Sequence, residues 1–310
     1  MTMESKLLAI SGLMKEASFR RLIKFHARRR EGHGGSHLEI LTETVHVHMC
    51  EEPRLSFTIY RMRIRSADDV LHHTAVVRDI DPSEGGRWLL EKRYSEFNNF
   101  RNQLLKHIEH WERAVTREFA SQQNCKSSLN NHDKMRNTFA VVSNSLRRAI
   151  SPRFPKKRIR VDTPMIITER VQGLTDFVRK LVGVYTDLGL YLSNSQMPSV
   201  VASSYELLHQ VHTDIEVFSE VPEPQKDAET RRQAAVLALE QLSGLDDPVS
   251  SQAEPACCIC LNEEILADDE NSPLVQLPCH HHFHEDCVID WFSVSTTCPL
   301  CRRSTTSPTT

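Results

Sequence analysis

No run of eighteen apolar residues occurs in the 310-residue chain, so a membrane-spanning helix is not expected. The N-terminus lacks the charged start, apolar middle and small-residue cleavage site of a secretory leader. Glu4 and Glu16 break the acid-poor character of an organellar transit peptide. A net charge is also nearly missing: 38 Lys and Arg stand against 41 Asp and Glu, a sum of −3, so the averaged charge selects no partner. Internal repeats are absent. The apolar fraction, 39%, is low for one compact globule, and exposed segments are expected. At roughly 100–200 residues per domain, the length suits two domains and a linker.

Cysteine is sparse except in one place. Of nine in the chain, seven fall between 257 and 301, and Cys50 and Cys125 stand alone. Without a leader, disulfides are not expected; cysteines clustered beside histidines read as metal ligands. Cys257-x-x-Cys260 is followed, after eighteen intervening residues, by "CHHHFHEDC" from Cys279 to Cys287, and after ten more by Cys298-x-x-Cys301. A Cys-x-x-Cys loop lets two thiolates hold one tetrahedral zinc at about 2.3 Å. Two such loops with a Cys/His group between them supply ligands for two closed sites. Which of the four histidines take part is open on these grounds alone.

This order of ligands resembles the RING finger of the two-histidine type; other Cys/His modules, such as the PHD finger, order theirs differently. The resemblance implies Cys257, Cys260, Cys279, His281, His284, Cys287, Cys298 and Cys301 as ligands of two zinc ions, leaving Cys258, His280 and His282 as spares. It also implies cross-bracing: Cys257, Cys260, His284 and Cys287 on one zinc, Cys279, His281, Cys298 and Cys301 on the other. Both sites are then full, hence structural rather than hydrolytic. In RING ubiquitin ligases the positions of Ile259, Trp291 and Pro299 form a shallow apolar groove for a ubiquitin-conjugating enzyme. A basic residue at the position of Arg302 bridges that enzyme and its ubiquitin, a task suited to the planar five-donor guanidinium. Such a ligase forms no covalent intermediate; it holds the charged conjugating enzyme so that a substrate lysine reaches the thioester, which is catalysis by positioning.

The larger part, 40–218, alternates and then becomes helical. "TVHVHMC" (44–50) and "LSFTIYRMRIRS" (55–66) have strand periodicity, with "HTAVVRDI" (73–80) a weaker case. "RWLLEKRYSEF" begins as a strand and turns helical near Ser95, a candidate cap. Phe97, Phe100, Leu104 and Ile108 then recur at helical spacing. "KRYSEF", "FPKKRI" and "ERVQGLTDFVRKLV", in that order, resemble the PX (phox homology) domain, so the fold class expected is α+β: a three-stranded antiparallel sheet packed on helices, plus the small two-zinc finger. The resemblance implies a phosphoinositide pocket for phosphatidylinositol 3-phosphate. Arg93 would meet the 3-phosphate, Tyr94 would stack under the inositol ring, Lys157 would meet the 1-phosphate, with Lys156 its neighbouring alternative, and Arg170 would bind ring hydroxyls. Arg forks a phosphate and Lys supplies a point charge. The stretch 111–153 is longer than that family's and reads as an insertion, with a helix in "KMRNTFAVVSNSLRRAI".

The basic run 153–160 suits an anionic surface, and Met165, Ile166 and Ile167 are candidates either for dipping into it or for capping the core. Residues 4–30, within an N-terminal segment 1–39, have a basic amphipathic pattern: Leu7, Ile10, Met14, Leu22 and Phe25 against Arg20, Arg21, Lys24 and Arg28. That pattern fits a membrane-surface helix or packing on the larger domain. Residues 219–255 read as a linker with a helix at 228–244 ended by Gly244, 256–303 as the finger, and 304–310 as a tail. Together these readings describe a ubiquitin ligase carried to the cytosolic face of endosomal membranes, partnered by a charged conjugating enzyme, a substrate protein and 3-phosphoinositide membranes. The rival is a non-catalytic sorting adaptor. No motif for reading nucleic acid appears.

Overall fold

The computed structural model describes residues 16–31, 38–48, 56–66, 87–122, 139–140, 142–150, 153–158, 162–193, 202–241, 257–261 and 273–305. The strand candidate 73–80 lies outside the described residues, as do Leu7, Ile10, Met14, Cys50 and Cys125, the acidic stretch 262–271 and the end of the tail. In chain order the elements are α1 (Glu16–Glu31), β1 (Leu38–His48), β2 (Ser56–Ser66), β3 (Arg87–Arg93), α2 (Tyr94–Gln122), α3 (142–149), α4 (Pro164–Ser193), α5 (Ala202–Ser219), α6 (Glu223–Leu237), β4 (Glu240–Gln241), β5 (Leu274–Gln276), β6 (His282–His284) and α7 (Glu285–Phe292). The fold is mixed α+β, in two compact units.

The first unit holds β1–β3 and α2–α5. Its sheet is antiparallel in the order β1-β2-β3, with Ile40 opposite Ile64 and Met62 opposite Leu90. Alternation decides which face is covered. Thr58, Tyr60, Met62 and Ile64 on β2 and Trp88 and Leu90 on β3 are buried, as period-two strands require when one face meets helices. The opposite face is held in register by cross-strand ion pairs, Arg65 with Glu39, Arg63 with Glu43 and Arg61 with Glu91. The third strand is thus "RWLLEKR".

α2 begins at Tyr94. Its cap differs from the expectation at Ser95: the Glu96 carboxylate reaches back 2.7 Å to accept from the Arg93 N–H, one half of a capping box. The helix does not end where an insertion was expected to start. Phe97, Phe100, Leu104 and Ile108 are followed by Trp111 and Val115, all buried, so the same apolar stripe carries the helix through 111 to Gln122. α4 starts with Thr163 as cap, whose hydroxyl accepts from the Ile166 N–H at 3.4 Å. Pro164 stands at the first helical position, where its missing N–H costs nothing. Ile166 is buried in the core whereas Met165 is 82% exposed. The indole N–H of Trp88 donates to Ser219 O at 3.0 Å and ties the end of α5 to β3.

The second unit holds α1, α6, α7 and β4–β6. β4 pairs with β5 and β5 with β6. Two boundary expectations change here. The segment 219–255 is not a linker over its first half: Ala235, Val236 and Leu239 are buried, α6 ends at Leu237 rather than near Gly244, and the next residues form β4. The basic N-terminal helix buries its apolar face in protein, with Leu22 and Phe25 at 2% and 1% exposure, and it packs on α6 and α7. At about 1.5–3 kcal/mol for a fully buried large apolar side chain, those two residues contribute about 3–6 kcal/mol to holding the helix on the unit.

Candidate functional site

In the second unit the chain brings two groups of donors together. Cys257, Cys260, His284 and Cys287 form one; Cys279, His281, Cys298 and Cys301 form the other, with the ligand atoms of each group within 4.8 Å of one another. His281 Nδ1 lies 3.3 Å from Cys279 Sγ and 3.6 Å from Cys298 Sγ. His284 Nδ1 lies 3.3 Å from Cys260 Sγ and 4.0 Å from Cys287 Sγ. Bonds of about 2.3 Å to sulfur and 2.0–2.1 Å to nitrogen at a tetrahedral angle put ligand atoms about 3.5 Å apart. The donor set is all thiol and imidazole, the softness zinc prefers. The two groups interleave along the chain, so the two sites brace each other.

The backbone explains why these residues and not their neighbours meet. At both Cys-x-x-Cys loops the fifth residue turns left-handed: Leu261 has φ 58° and Arg302 φ 57°. Their N–H groups donate back to Cys257 O at 2.8 Å and Cys298 O at 2.9 Å. A non-glycine residue there costs about 1–2 kcal/mol, which a metal held by the loop offsets. His280 is also left-handed, at φ 63°. That turn directs its ring to Gln276, whose amide donates to Nδ1 at 3.1 Å. In β6 Phe283 is fully buried, so strand alternation puts His284 on the opposite face, at the junction with α7. Burial, aggravated by the neighbouring thiolates, pushes Cys287 up to about 12 and Cys279 up to about 11. A dication is the natural relief for thiolates so crowded. Burial pushes the Cys258 thiol up as well, the wrong direction for a nucleophile.

Around these centres Ile259, Trp291 and Pro299 are half-buried and Arg302 is exposed. The Trp291 indole N–H donates to Thr297 O at 2.7 Å, fixing the ring. Leu261, 77% exposed, and Leu300, 53% exposed, add apolar surface at the two knuckles.

In the first unit Tyr94 and Arg170 stand together, whereas Arg93, which precedes Tyr94 at the end of β3, stacks on Phe57. The Arg170 guanidinium lies 4.1 Å from the Tyr94 ring centre, a cation–π distance. That of Arg93 lies 3.4 Å from the Phe57 ring centre. The Tyr94 hydroxyl donates to Pro155 O at 2.8 Å, pinning the proline loop on which Lys156 and Lys157 are exposed. Arg170 is 5% exposed and pairs with Asp162, which also accepts from the Thr58 hydroxyl at 3.2 Å. Burial raises the Tyr60 and Tyr94 phenols, against the pull of Arg170, so both stay neutral.

Residues 255–302 match the family described as Ring finger domain. An E3 ubiquitin-protein ligase of Arabidopsis thaliana is 31% identical over 117 residues, 34% of this chain and 28% of that protein. E3 ubiquitin-protein ligase RNF181 of Rattus norvegicus is 43% identical over 53 residues, 17% of this chain and 30% of that protein. E3 ubiquitin-protein ligase Praja-2 of Mus musculus is 44% identical over 59 residues, 19% of this chain and 8% of that protein. The chain thus spans less than a third of the length of the relatives it matches. No solved structure matches it. The C-terminal finger is therefore a RING finger with two cross-braced Cys/His sites, consistent with two zinc ions.

Sequence reasoning missed Asp162 as the partner of Arg170, the exposed leucines at the knuckles, and Glu285 as the partner of Arg21. The two leucines carried a readable signal: both adjoin zinc-binding cysteines, where loops turn sharply and side chains face solvent. Asp162 lies only eight residues before Arg170, across the start of α4, whereas the contacts of Arg21 depend on chain distant in sequence and left no local trace.

Proposed function

We propose that the chain is a RING-type ubiquitin ligase, a transferase that recruits a charged ubiquitin-conjugating enzyme through its C-terminal finger. The observation that carries this reading is the pair of complete Cys/His quartets flanked by a fixed Trp291 and a solvent-facing Arg302. Filled sites leave zinc no position for water, so the metal supplies shape alone. Ile259, Trp291 and Pro299 present the apolar surface that grips the conjugating enzyme, extended by Leu261 and Leu300. Arg302, raised on its left-handed turn, donates to the enzyme and to its ubiquitin and holds the thioester folded back. The rate gain is that of orientation. The substrate is a protein lysine.

The first unit acts in this proposal as a PX-like phosphoinositide module that brings the ligase to phosphatidylinositol 3-phosphate on the cytosolic face of endosomal membranes. Its support is the sheet followed by helices, with Tyr94, Arg170 and the proline loop in contact at their junction and Arg93 next to Tyr94 in sequence. Met165, at the start of α4, is exposed beside this cluster in sequence and is the residue suited to dip into lipid, while Ile166 caps the core. Autoubiquitination with a panel of conjugating enzymes, parent against Ile259→Ala, tests the ligase. Activity abolished by the substitution is the expected result. A chain inactive with every conjugating enzyme would instead be a sorting adaptor.

A further inference from the structure

The helix α1 is separated from α7 by more than 250 residues, yet its basic face lies along the acidic face of α7. The Arg21 Nε donates to Glu285 Oε2 at 2.7 Å, and its Nη1 donates to Leu239 O at 2.7 Å. Lys24 pairs with Asp286. Arg28 Nη1 lies 2.7 Å from Asp290 Oδ2, and its Nη2 lies 3.1 Å from Asp286 Oδ2. Three cations thus meet three carboxylates at helical spacing on both sides. Arg21 differs from the other two in being 4% exposed. Its two acceptors lie at opposite ends of one structural path. Leu239 leads directly into β4, which pairs through β5 to β6; β6 ends at His284, and Glu285 opens α7. One planar guanidinium therefore closes the path that carries His284, Cys287 and, two turns on, Trp291.

From this geometry we infer that Arg21 is a positioning residue of the ligase: it sets the pose of α7 and so the docking of the conjugating enzyme on Trp291. The inference rests on the groove reading above. An arginine suits the task because its fork fixes two acceptors at once, whereas a lysine offers one point of charge. Glu285 and Asp286 on α7 are taken up by the chain itself, with side chains 12% and 26% exposed, so a conjugating enzyme meets the finger on the Ile259, Trp291 and Pro299 side. Residues 257–305 alone then hold α7 less well than the chain with α1 in place.

The test uses the full chain loaded with zinc and the conjugating enzyme most active in the autoubiquitination panel. Discharge of ubiquitin to free lysine is measured against the concentration of charged conjugating enzyme. Arg21→Met keeps length and apolar stem; it is expected to raise KM about tenfold, equal to about 1.4 kcal/mol, with kcat within twofold and two zinc ions per chain. Arg21→Lys should not restore KM, while Glu285→Gln, which still accepts the hydrogen bond, should leave it near the parent value. Trp291→Ala run in parallel should raise KM too. A parent KM in folded Arg21→Met beside a raised KM in Trp291→Ala overturns this inference and leaves the groove reading standing. A silent Trp291→Ala sinks the groove reading and this inference with it, as does a chain inactive with every conjugating enzyme. Should Arg21→Met not fold, Glu285→Ala, which removes one of the two acceptors of Arg21, replaces it: a raised KM supports the proposal and an unchanged one overturns it.

Discussion

Two glycines in α4 should respond oppositely to the same substitution. A Cβ on Gly173 would stand 2.6 Å from Pro155 Cγ, 2.7 Å from Pro155 Cδ and 3.3 Å from Arg153 O, whereas a Cβ on Gly183 would meet nothing within 4 Å. In both cases alanine gains about 0.8–1 kcal/mol of helix propensity. At Gly183 nothing opposes that gain. At Gly173 the new methyl runs into a rigid proline ring and a backbone carbonyl. Overpacking of this kind costs about 1–3 kcal/mol. If the loop instead swings away, the Tyr94 hydroxyl loses Pro155 O, worth about 1 kcal/mol. Gly173→Ala should therefore lower local stability by about 1 kcal/mol, and Gly183→Ala should raise it by as much. Hydrogen exchange of the α4 amides reads this without treating the two-unit chain as two-state. The proline loop carries Lys156 and Lys157, so Gly173→Ala should also weaken capture by vesicles containing phosphatidylinositol 3-phosphate, and Gly183→Ala should not. Slower opening in Gly173→Ala would show that the loop does not press on α4, and faster opening in Gly183→Ala would remove the propensity gain; either would refute the reasoning.

The remaining expectations concern the two sites. Cys279→Ser should reduce bound zinc below two per chain by elemental analysis, while His282→Ala should leave two; equal loss from both would reassign the ligand. With the metal-free Cys287 and Cys279 thiols at about 12 and about 11, both carry protons at pH 7, and zinc must displace them. Zinc affinity should therefore fall as pH falls. Calorimetry in buffers of different ionisation enthalpy should register at least two protons released, and a buffer-independent heat would contradict this. Asp162→Asn removes the internal anion from Arg170 and should tighten binding to phosphatidylinositol 3-phosphate vesicles severalfold; Arg170→Ala should weaken it. If neither variant changes binding, Arg170 does not face the headgroup.

What could be read from the sequence followed from the range of the forces involved. Strand alternation in "LSFTIYRMRIRS" and the stripe from Phe97 to Ile108 are local patterns, and each became the element its period implies. The cysteine spacing was legible for the same reason, because a Cys-x-x-Cys loop chelates within four residues. The end of α2 was not. The stretch 111–153 read as an insertion by its length, but Trp111 and Val115 stay on the buried face and carry the helix to Gln122. The third strand was legible as well: "RWLLEKR" reads as a strand that turns helical near Ser95, and it pairs with β2, Trp88 opposite Ile64 and Glu91 opposite Arg61.

The N-terminal helix marks where local reasoning fails on principle. Its basic amphipathic pattern fits a lipid surface and an acidic helix equally, since both offer an apolar layer beneath negative charge. Which one it meets depends on α7, whose Glu285, Asp286 and Asp290 recur one and four residues apart and form a surface only once α7 is helical. The finger also has a reason to recruit it. Its own buried apolar set is small: Val275, Leu277, Phe283, Val288, Ile289 and Phe292. A unit of that size rarely stabilises itself without a metal or added core. Zinc fixes the loops, and Leu22, Phe25, Ala235, Val236 and Leu239 supply the core they lack. The paired cysteines can be read directly from spacing and the two histidines from the family resemblance, while the helices that complete the unit leave only their unspent apolar faces as a signal.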